Sequence, residues 1–277
     1  MSRLPTLFVS HGAPSFALEP GIVGPQLAAL GRAMPRPKAV LVVSPHWMTS
    51  IPRVGITARP DTIHDFGGFA PALYEIVYAA AGHPTLAQRT IELLRSAGWH
   101  TEADTRRGLD HGAWVPMLHL FPQADVPVFQ LSMPRTLDSE SAWAFGEALA
   151  PLADEGVLIV GSGTLTHNVY DFLAGRGREE GYAAEFAAWI RDAVVTGDVA
   201  QLRGALTLAP HAKRAHPTTE HFLPLLVAAG AANVACASGL VTVIHGGITH
   251  GVVSMDSFVF GDIISTPPTR IEPRALD

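Results

Sequence analysis

The chain has 277 residues, 48% hydrophobic and 16% charged, with 26 Gly, 22 Pro and one Cys. These values exclude disorder, collagen-like repeats and coiled coil as descriptions of the whole chain. Its net charge of −6, from 19 basic and 25 acidic side chains, disfavours a nucleic-acid binder, which needs a clustered positive surface to neutralise phosphates.

The opening MSRLPTLFVSHG has only Leu7, Phe8 and Val9 as an apolar run, too short for a signal-peptide core. That run predicts a strand over Thr6–Val9, and Ala39–Ser44 predicts the next. A helix is expected over His83–Ala97 and a strand over Pro127–Leu131. Leu137-Asp138-Ser139-Glu140 supplies a capping side chain for a helix over Ser139–Ala150. Val157–Val160 then reads as a strand, Gly181–Val195 and Glu220–Ala229 as helices, and Leu240–Ile244 and Ser257–Phe260 as a late pair of strands.

Strands alternating with helices indicate an α/β fold, with a central, mostly parallel mixed sheet flanked by helices. The length suits one large domain or two small ones. No repeat, linker or shift of composition divides the chain, so residues 1–277 read as a single domain. The longest apolar stretch, Phe222 to Ala237, is interrupted by Pro224, Gly230 and Asn233 and falls short of the roughly 20 residues of a membrane span. The lone Cys236 forms neither an internal disulfide nor a thiolate cluster and reads as a small buried hydrophobe. These features describe a soluble cytoplasmic protein with no membrane segment.

Histidine is in surplus, with 13 in the chain. Imidazole is the commonest metal ligand and the usual proton carrier near neutral pH. Three times an apolar strand is followed by small or turn-forming residues and then a histidine: Leu7 to His11, Leu41 to His46, and Val157 to His167. Parallel strands would deliver all three rings to one rim of the sheet, where ligands of α/β folds bind. A fourth candidate is His216-Pro217-Thr218-Thr219-Glu220-His221. Pro224 has no amide to donate, so regular helical bonding starts late and His221 falls in the opening turn or just before it. Glu220 and His221 differ by about 100° in direction, so at most one faces a given site; a capped helix start with two solvated side chains is the plainer reading. The fifth, Leu109-Asp110-His111-Gly112, is a Gly-flanked loop leading into an apolar helix and reads equally as a structural turn. His64 lies in a loop, Asp61 to Gly68, that suits a lid. His83, His100, His119, His211, His245 and His250 read as surface or core residues, and His216, before a proline, as a loop feature.

Two histidines 35 residues apart, with a third from a distant helix start, suit a borderline divalent metal with positions open for water and substrate. There is no Gly-x-Ser-x-Gly elbow, P-loop or His-Glu-x-x-His, and a GxGxxG reading of Gly161-Ser162-Gly163 fails at Thr166.

From about Leu7 to Gly261 the chain resembles the class III extradiol ring-cleavage dioxygenases, specifically the 4,5-DOPA extradiol dioxygenase-like proteins. The resemblance rests on Ser10-His11-Gly12, Ser44-Pro45-His46-Trp47, His64-Asp65-Phe66-Gly67-Gly68-Phe69, Leu109-Asp110-His111-Gly112-Ala113-Trp114, Gly161-Ser162-Gly163 with His167-Asn168, and His216-Pro217-Thr218-Thr219-Glu220-His221. It implies His11, His46 and His221 as metal ligands. The wider superfamily uses two histidines and a glutamate, so Glu220 is the alternative to His221. His167 resembles the acid/base beside the metal, able to serve as a further ligand without substrate. His111 resembles a pocket residue that contacts substrate or dioxygen, and His64 is grouped with it as substrate-binding. Tyr78-Ala79-Ala80-Ala81-Gly82 departs from the proline-containing turn of relatives.

The implied activity is opening of a catechol ring, DOPA-like or related, with both atoms of O2 incorporated. Fe2+ is the expected metal. Zn2+ is expected in the same site, because it binds nitrogen donors more tightly than ferrous iron. The partners are therefore a small aromatic diol and O2. A zinc-dependent hydrolase and a non-catalytic metal- or partner-binding member of the fold are the competing readings. Arg106 and Arg107 offer a counter-charge to a substrate carboxylate, with solvated surface charge as the plainer reading.

Overall fold

The computed structural model describes residues 3–174, 181–233, 238 and 240–263; Cys236 lies outside them. In chain order the chain forms β1 (Thr6–Ser10), α1 (Val23–Ala33), β2 (Ala39–Thr49), β3 (Arg53–Gly55), α2 (Pro84–Ser96) and β4 (Glu102–Asp104). It continues through α3 (His111–Leu120), β5 (Val128–Pro134), α4 (Ser139–Leu149), α5 (Pro151–Asp154), β6 (Val157–Gly163) and α6 (Val169–Leu173). Then come α7 (Gly181–Val195), α8 (Val199–Leu208), α9 (Ala212–Ala215), α10 (Leu223–Ala232), β7 (Val241–Ile244), β8 (Ile248–Thr249), β9 (Val253–Ser254) and β10 (Ser257–Phe260).

Among the described residues, eight strands make one mixed sheet in the order β4-β3-β5-β2-β6-β1-β10-β7, and β8 pairs with β9 separately. The four central strands, β5-β2-β6-β1, are mutually parallel. Their residues are buried along almost their whole length, as parallel strands covered on both faces require. Antiparallel pairing of β10 with β1 and β7, and of β3 with β5, completes the edges. This is the α/β architecture expected, a mostly parallel mixed sheet flanked by helices. Among the described residues, no helix is long and apolar enough to cross a membrane.

The strands run further than their apolar runs suggest: β2 reaches Thr49 and β6 reaches Gly163. β3 and β4, each of three residues, were not foreseen, because so short an edge strand carries no period to read. Helix α1 was also missed, since Gly24, Pro25 and Gly31 interrupt its pattern. Conversely, α4 begins where its cap predicts: the Asp138 side chain accepts from the Ser141 amide and the Ser141 hydroxyl returns to the Asp138 amide.

Helix α10 is buried on every side, packed between α4 and the strands β6 and β1. Glycine makes that approach possible. A Cβ on Gly161 would lie 2.0 Å from the carbonyl oxygen of Pro224, and one on Gly163 would lie 2.2 Å from that of His221. Gly161-Ser162-Gly163 is thus a landing strip for the start of α10 and brings His221 against the end of β6.

Candidate metal centre

Each histidine of the cluster is delivered by a strand end or a helix start. His11 follows β1, and its amide donates to the carbonyl of Gly163 at the end of the neighbouring β6 (2.8 Å). His46 sits where β2 breaks register with β5, between Val43 and Met48, and its amide donates to the Ser44 hydroxyl (3.2 Å). His111 is the first residue of α3. Glu220 and His221 lie in the turn before α10, not in the helix itself, as the missing amide of Pro224 requires. The His221 carbonyl accepts from the Thr164 amide (3.1 Å), which ties this turn to the end of β6.

These segments bring His11, His46 and His221 together, one donor atom from each lying within 4.8 Å of the others. The ring centroids are 5.1 Å apart for His11–His46, 5.6 Å for His11–His221 and 5.1 Å for His46–His221. His111 stands 3.9 Å from His46, and His167 stacks on His221 at 3.5 Å with an interplanar angle of 9°. Glu220 is placed differently. Its Oε1 is 3.1 Å from Nδ1 of His221, and it groups with His167 and His221 as a second set of donors rather than with His11 and His46. Of the two neighbours left open by the sequence, the fold groups His221 with His11 and His46, and Glu220 with His167 and His221.

The hydrogen bonds assign the tautomers. The Ser162 hydroxyl donates its one proton to the Gly112 carbonyl, so the Nδ1 of His11, 2.9 Å from that hydroxyl, must donate to it. Nδ1 of His46 lies 3.4 Å from an Asp65 oxygen, and Nδ1 of His221 faces Glu220. A proton on each Nδ1 leaves each Nε2 with a lone pair, and those of His11 and His46 are 3.2 Å apart. Histidines that bind metals have their second nitrogen anchored in this way. Burial, followed by the neighbouring imidazoles, pushes His11 and His221 well below the ordinary histidine range, and burial brings His46 to about 4. His167 is also lowered by burial, with Glu220 opposing. The rings are therefore neutral at physiological pH. Neutral imidazoles with converging lone pairs are the donor set that a borderline divalent ion takes. Nδ1 of His167 is buried without a hydrogen-bond partner among the described residues, a further donor with nothing to satisfy it.

Three groups beyond the predicted ones shape the site. Asp65 Oδ1 accepts from both the amide (2.9 Å) and Nδ1 (3.0 Å) of His111. Burial raises its carboxyl, but the hydrogen bonds and charge of His111 outweigh burial and bring it to about 2. Ser162 sets the His11 tautomer. Asp110, fully buried, accepts from the Ser44 hydroxyl (2.9 Å), from Gln130 Nε2 (2.8 Å) and from Arg107. Arg107 also lies over Trp47 and donates to the His46 carbonyl, so it braces the backbone of β2. Asp65, Ser162 and Asp110 all stand inside the quoted motifs, and adjacency to the histidines was the signal available.

His64 is not brought to the cluster. Its Nε2 pairs with the Ile76 carbonyl (3.0 Å) and its ring packs among Phe66, Tyr74 and Trp114. Arg106 is exposed, whereas Arg107 is consumed by Asp110. A cavity of about 230 Å³ opens onto His46, His111, His167 and His221, with Phe69, Phe172 and Val253 among its walls.

Residues 25–252 match the family described as the catalytic LigB subunit of aromatic ring-opening dioxygenase. The 4,5-DOPA dioxygenase extradiol of Beta vulgaris is 41% identical over 259 residues, covering 92% of this chain and 96% of that protein. The protein of the same name from Escherichia coli K12 is 37% identical over 235 residues, covering 83% and 86%. A solved structure of an uncharacterized protein from Escherichia coli K12 superposes with a TM-score of 0.76 at 30% identity, covering 94% of this chain and all of the other.

Proposed function

The chain belongs to the aromatic ring-opening dioxygenase family, and from that premise we propose that it is a non-heme, metal-dependent extradiol dioxygenase that opens the ring of a catechol with O2. The observation that carries this reading is the convergence of three neutral imidazoles, each with Nδ1 anchored, beside a cavity that also holds His167 and His111.

His11, His46 and His221 hold the metal, with His167 available as a further donor before substrate binds. Fe2+ held there supplies the redox chemistry that O2 activation needs, and Zn2+ in its place supplies none. The protein's own groups do the rest. His167, neutral and facing the cavity, takes a proton from a ring hydroxyl and returns it as the ring opens, general base and then general acid. Nδ1 of His111 is committed to Asp65, so its Nε2 is the nitrogen left to hydrogen-bond the bound diol. Apolar walls at Phe69, Phe172 and Val253 exclude bulk water from the reacting face. Both atoms of O2 enter a ring-opened semialdehyde acid.

The test is chelator treatment, anaerobic reconstitution with Fe2+, and addition of catechol or L-DOPA with oxygen. One O2 consumed per diol, with a yellow ring-opened product, is the expected result. His167→Ala should keep its metal and lose turnover. No oxygen uptake across a panel of catechols, with ester or amide hydrolysis by the Zn2+ form, would establish a zinc hydrolase instead.

A further inference from the structure

His167 reaches the cavity from residues 164–168, a stretch without helix or strand between β6 and α6. The position of its ring follows from the course of that backbone, which hydrogen bonds pin almost residue by residue. The Leu165 amide donates to the Ser10 hydroxyl (3.2 Å). Thr166 Oγ1 donates to the Val252 carbonyl and accepts from the Ser254 amide, both at 2.7 Å. Three further links run to residues 215–221, the segment that ends in His221. The Thr164 amide donates to the His221 carbonyl (3.1 Å), the His167 amide to the Ala215 carbonyl (2.8 Å), and Nε2 of His216 to the Leu165 carbonyl (2.8 Å). Across this lacing the rings of His167 and His221 stack at 3.5 Å.

His216 is the buried titratable group that the mechanism leaves unused. It stands behind the stretch, outside the walls of the cavity, and is 4% exposed. Its ring lies between Phe186 and Phe222, with centroids at 5.4 and 5.3 Å, and this packing locks its rotamer. A carbonyl only accepts, so Nε2 carries the proton. Leu165 is fully buried, and without His216 its carbonyl would lose a partner in a place closed to bulk water. A phenylalanine would fill the space between the two rings; the donor at Nε2 is what requires histidine.

Resting on the dioxygenase reading above, we propose that His216 is a positioning residue for the reaction: its bond to the Leu165 carbonyl holds residues 164–168 in register with residues 215–221 and so sets His167 over the metal centre. It touches neither metal nor diol. Its effect falls on the proton transfer, where a misplacement of about 1 Å costs on the order of 10²-fold in rate.

The experiment compares the wild type with His216→Phe, which fills the space without a donor, and His216→Gln, whose amide restores one. In His216→Phe, kcat for oxygen uptake by the Fe2+-reconstituted protein with catechol should fall about tenfold or more, while KM and the Zn2+ affinity from chelator competition stay within about twofold. His216→Gln should recover most of kcat. NMR of the histidine ring nitrogens in the Zn2+-loaded protein reads the geometry without turnover. The His167 signals should move in His216→Phe and return in His216→Gln, with those of His11 and His46 unmoved. Unchanged kcat, unmoved His167 signals, equal losses in the two variants, or a fall in Zn2+ affinity that matches the fall in kcat each overturns the proposal. His216→Met, which also lacks the donor, carries the same comparison if His216→Phe does not fold. If the wild type consumes no oxygen, the dioxygenase reading falls, and the NMR signals still decide whether His216 places His167.

Discussion

Asp65 and His111 are joined twice: one carboxylate oxygen accepts both the backbone amide of His111, at 2.9 Å, and its ring Nδ1, at 3.0 Å. The other oxygen stands 3.4 Å from Nδ1 of His46. One side chain from the loop before α2 thus sets the orientation of two rings that come from β2 and α3. Asp65→Asn keeps the size but turns one of the two acceptors into an amide donor facing an N–H. Metal affinity should fall about 10–100-fold, the usual effect of removing such a partner, with the fold retained. Chelator competition followed by elemental analysis measures it; unchanged affinity would show that His46 needs no carboxylate.

The third donor can be separated from its neighbour. His221→Ala removes an Nε2 from the cluster and should leave dialysed protein without bound metal. Glu220→Gln removes only the charge behind Nδ1, while the amide oxygen still accepts its proton, so metal stoichiometry should persist with affinity lowered about tenfold. Metal retained by His221→Ala and lost from Glu220→Gln would make the carboxylate the ligand.

Gly112 is small because two elements meet across it. A Cβ there would lie 2.3 Å from the Ser44 hydroxyl and 3.0 Å from Cδ2 of His46. Ser44 is already held by Asp110 and cannot step aside. Gly112→Ala should cost roughly 1–3 kcal/mol of stability, as other overpacking does. It should also shift His46, so the stabilisation that added metal gives to the wild type should shrink. Thermal melts with and without Zn2+ read both effects, and an equal metal-induced shift in the two proteins would place His46 beyond the reach of Gly112.

What could be read from the chain follows from how local each feature is. The strand-end histidines were legible because β1, β2 and β6 are parallel neighbours, and a short continuous apolar run followed by turn residues puts each ring on the same rim. The placing of His221 needed more, because Glu220 and His221 are adjacent and only the turn before α10 decides which one faces inward. Gly161-Ser162-Gly163 resembled a fragment of a phosphate loop; its purpose appears only when carbonyls of His221 and Pro224, far along the chain, lie against it. Asp65 stands next to His64, and adjacency does not show that the two part: His64 turns to the Ile76 carbonyl, while Asp65 reaches a helix start 46 residues away.

His216, read from sequence as a loop feature, is a buried group with a measurable acid signature. It is 4% exposed and lies between Phe186 and Phe222, with Nε2 donating to the Leu165 carbonyl (2.8 Å). Burial lowers its pKa to about 4, against a smaller opposing effect of that carbonyl. The unfolded chain, with a histidine pKa of about 6.5, therefore binds more protons between these limits. The contribution is fully present above pH 6.5 and is lost as pH falls towards 4, about 2 kcal/mol of it between pH 7 and 5 by linkage. His216→Phe keeps an apolar ring in place and loses the bond to Leu165 at every pH, so it offsets the stability curve and removes this slope. Urea unfolding of chelator-treated protein at the two pH values should show a smaller acid loss in the variant by about that amount. The histidines of the cluster contribute equally to both proteins and cancel in the difference. Parallel pH profiles would mean that His216 is protonated without penalty in the folded state.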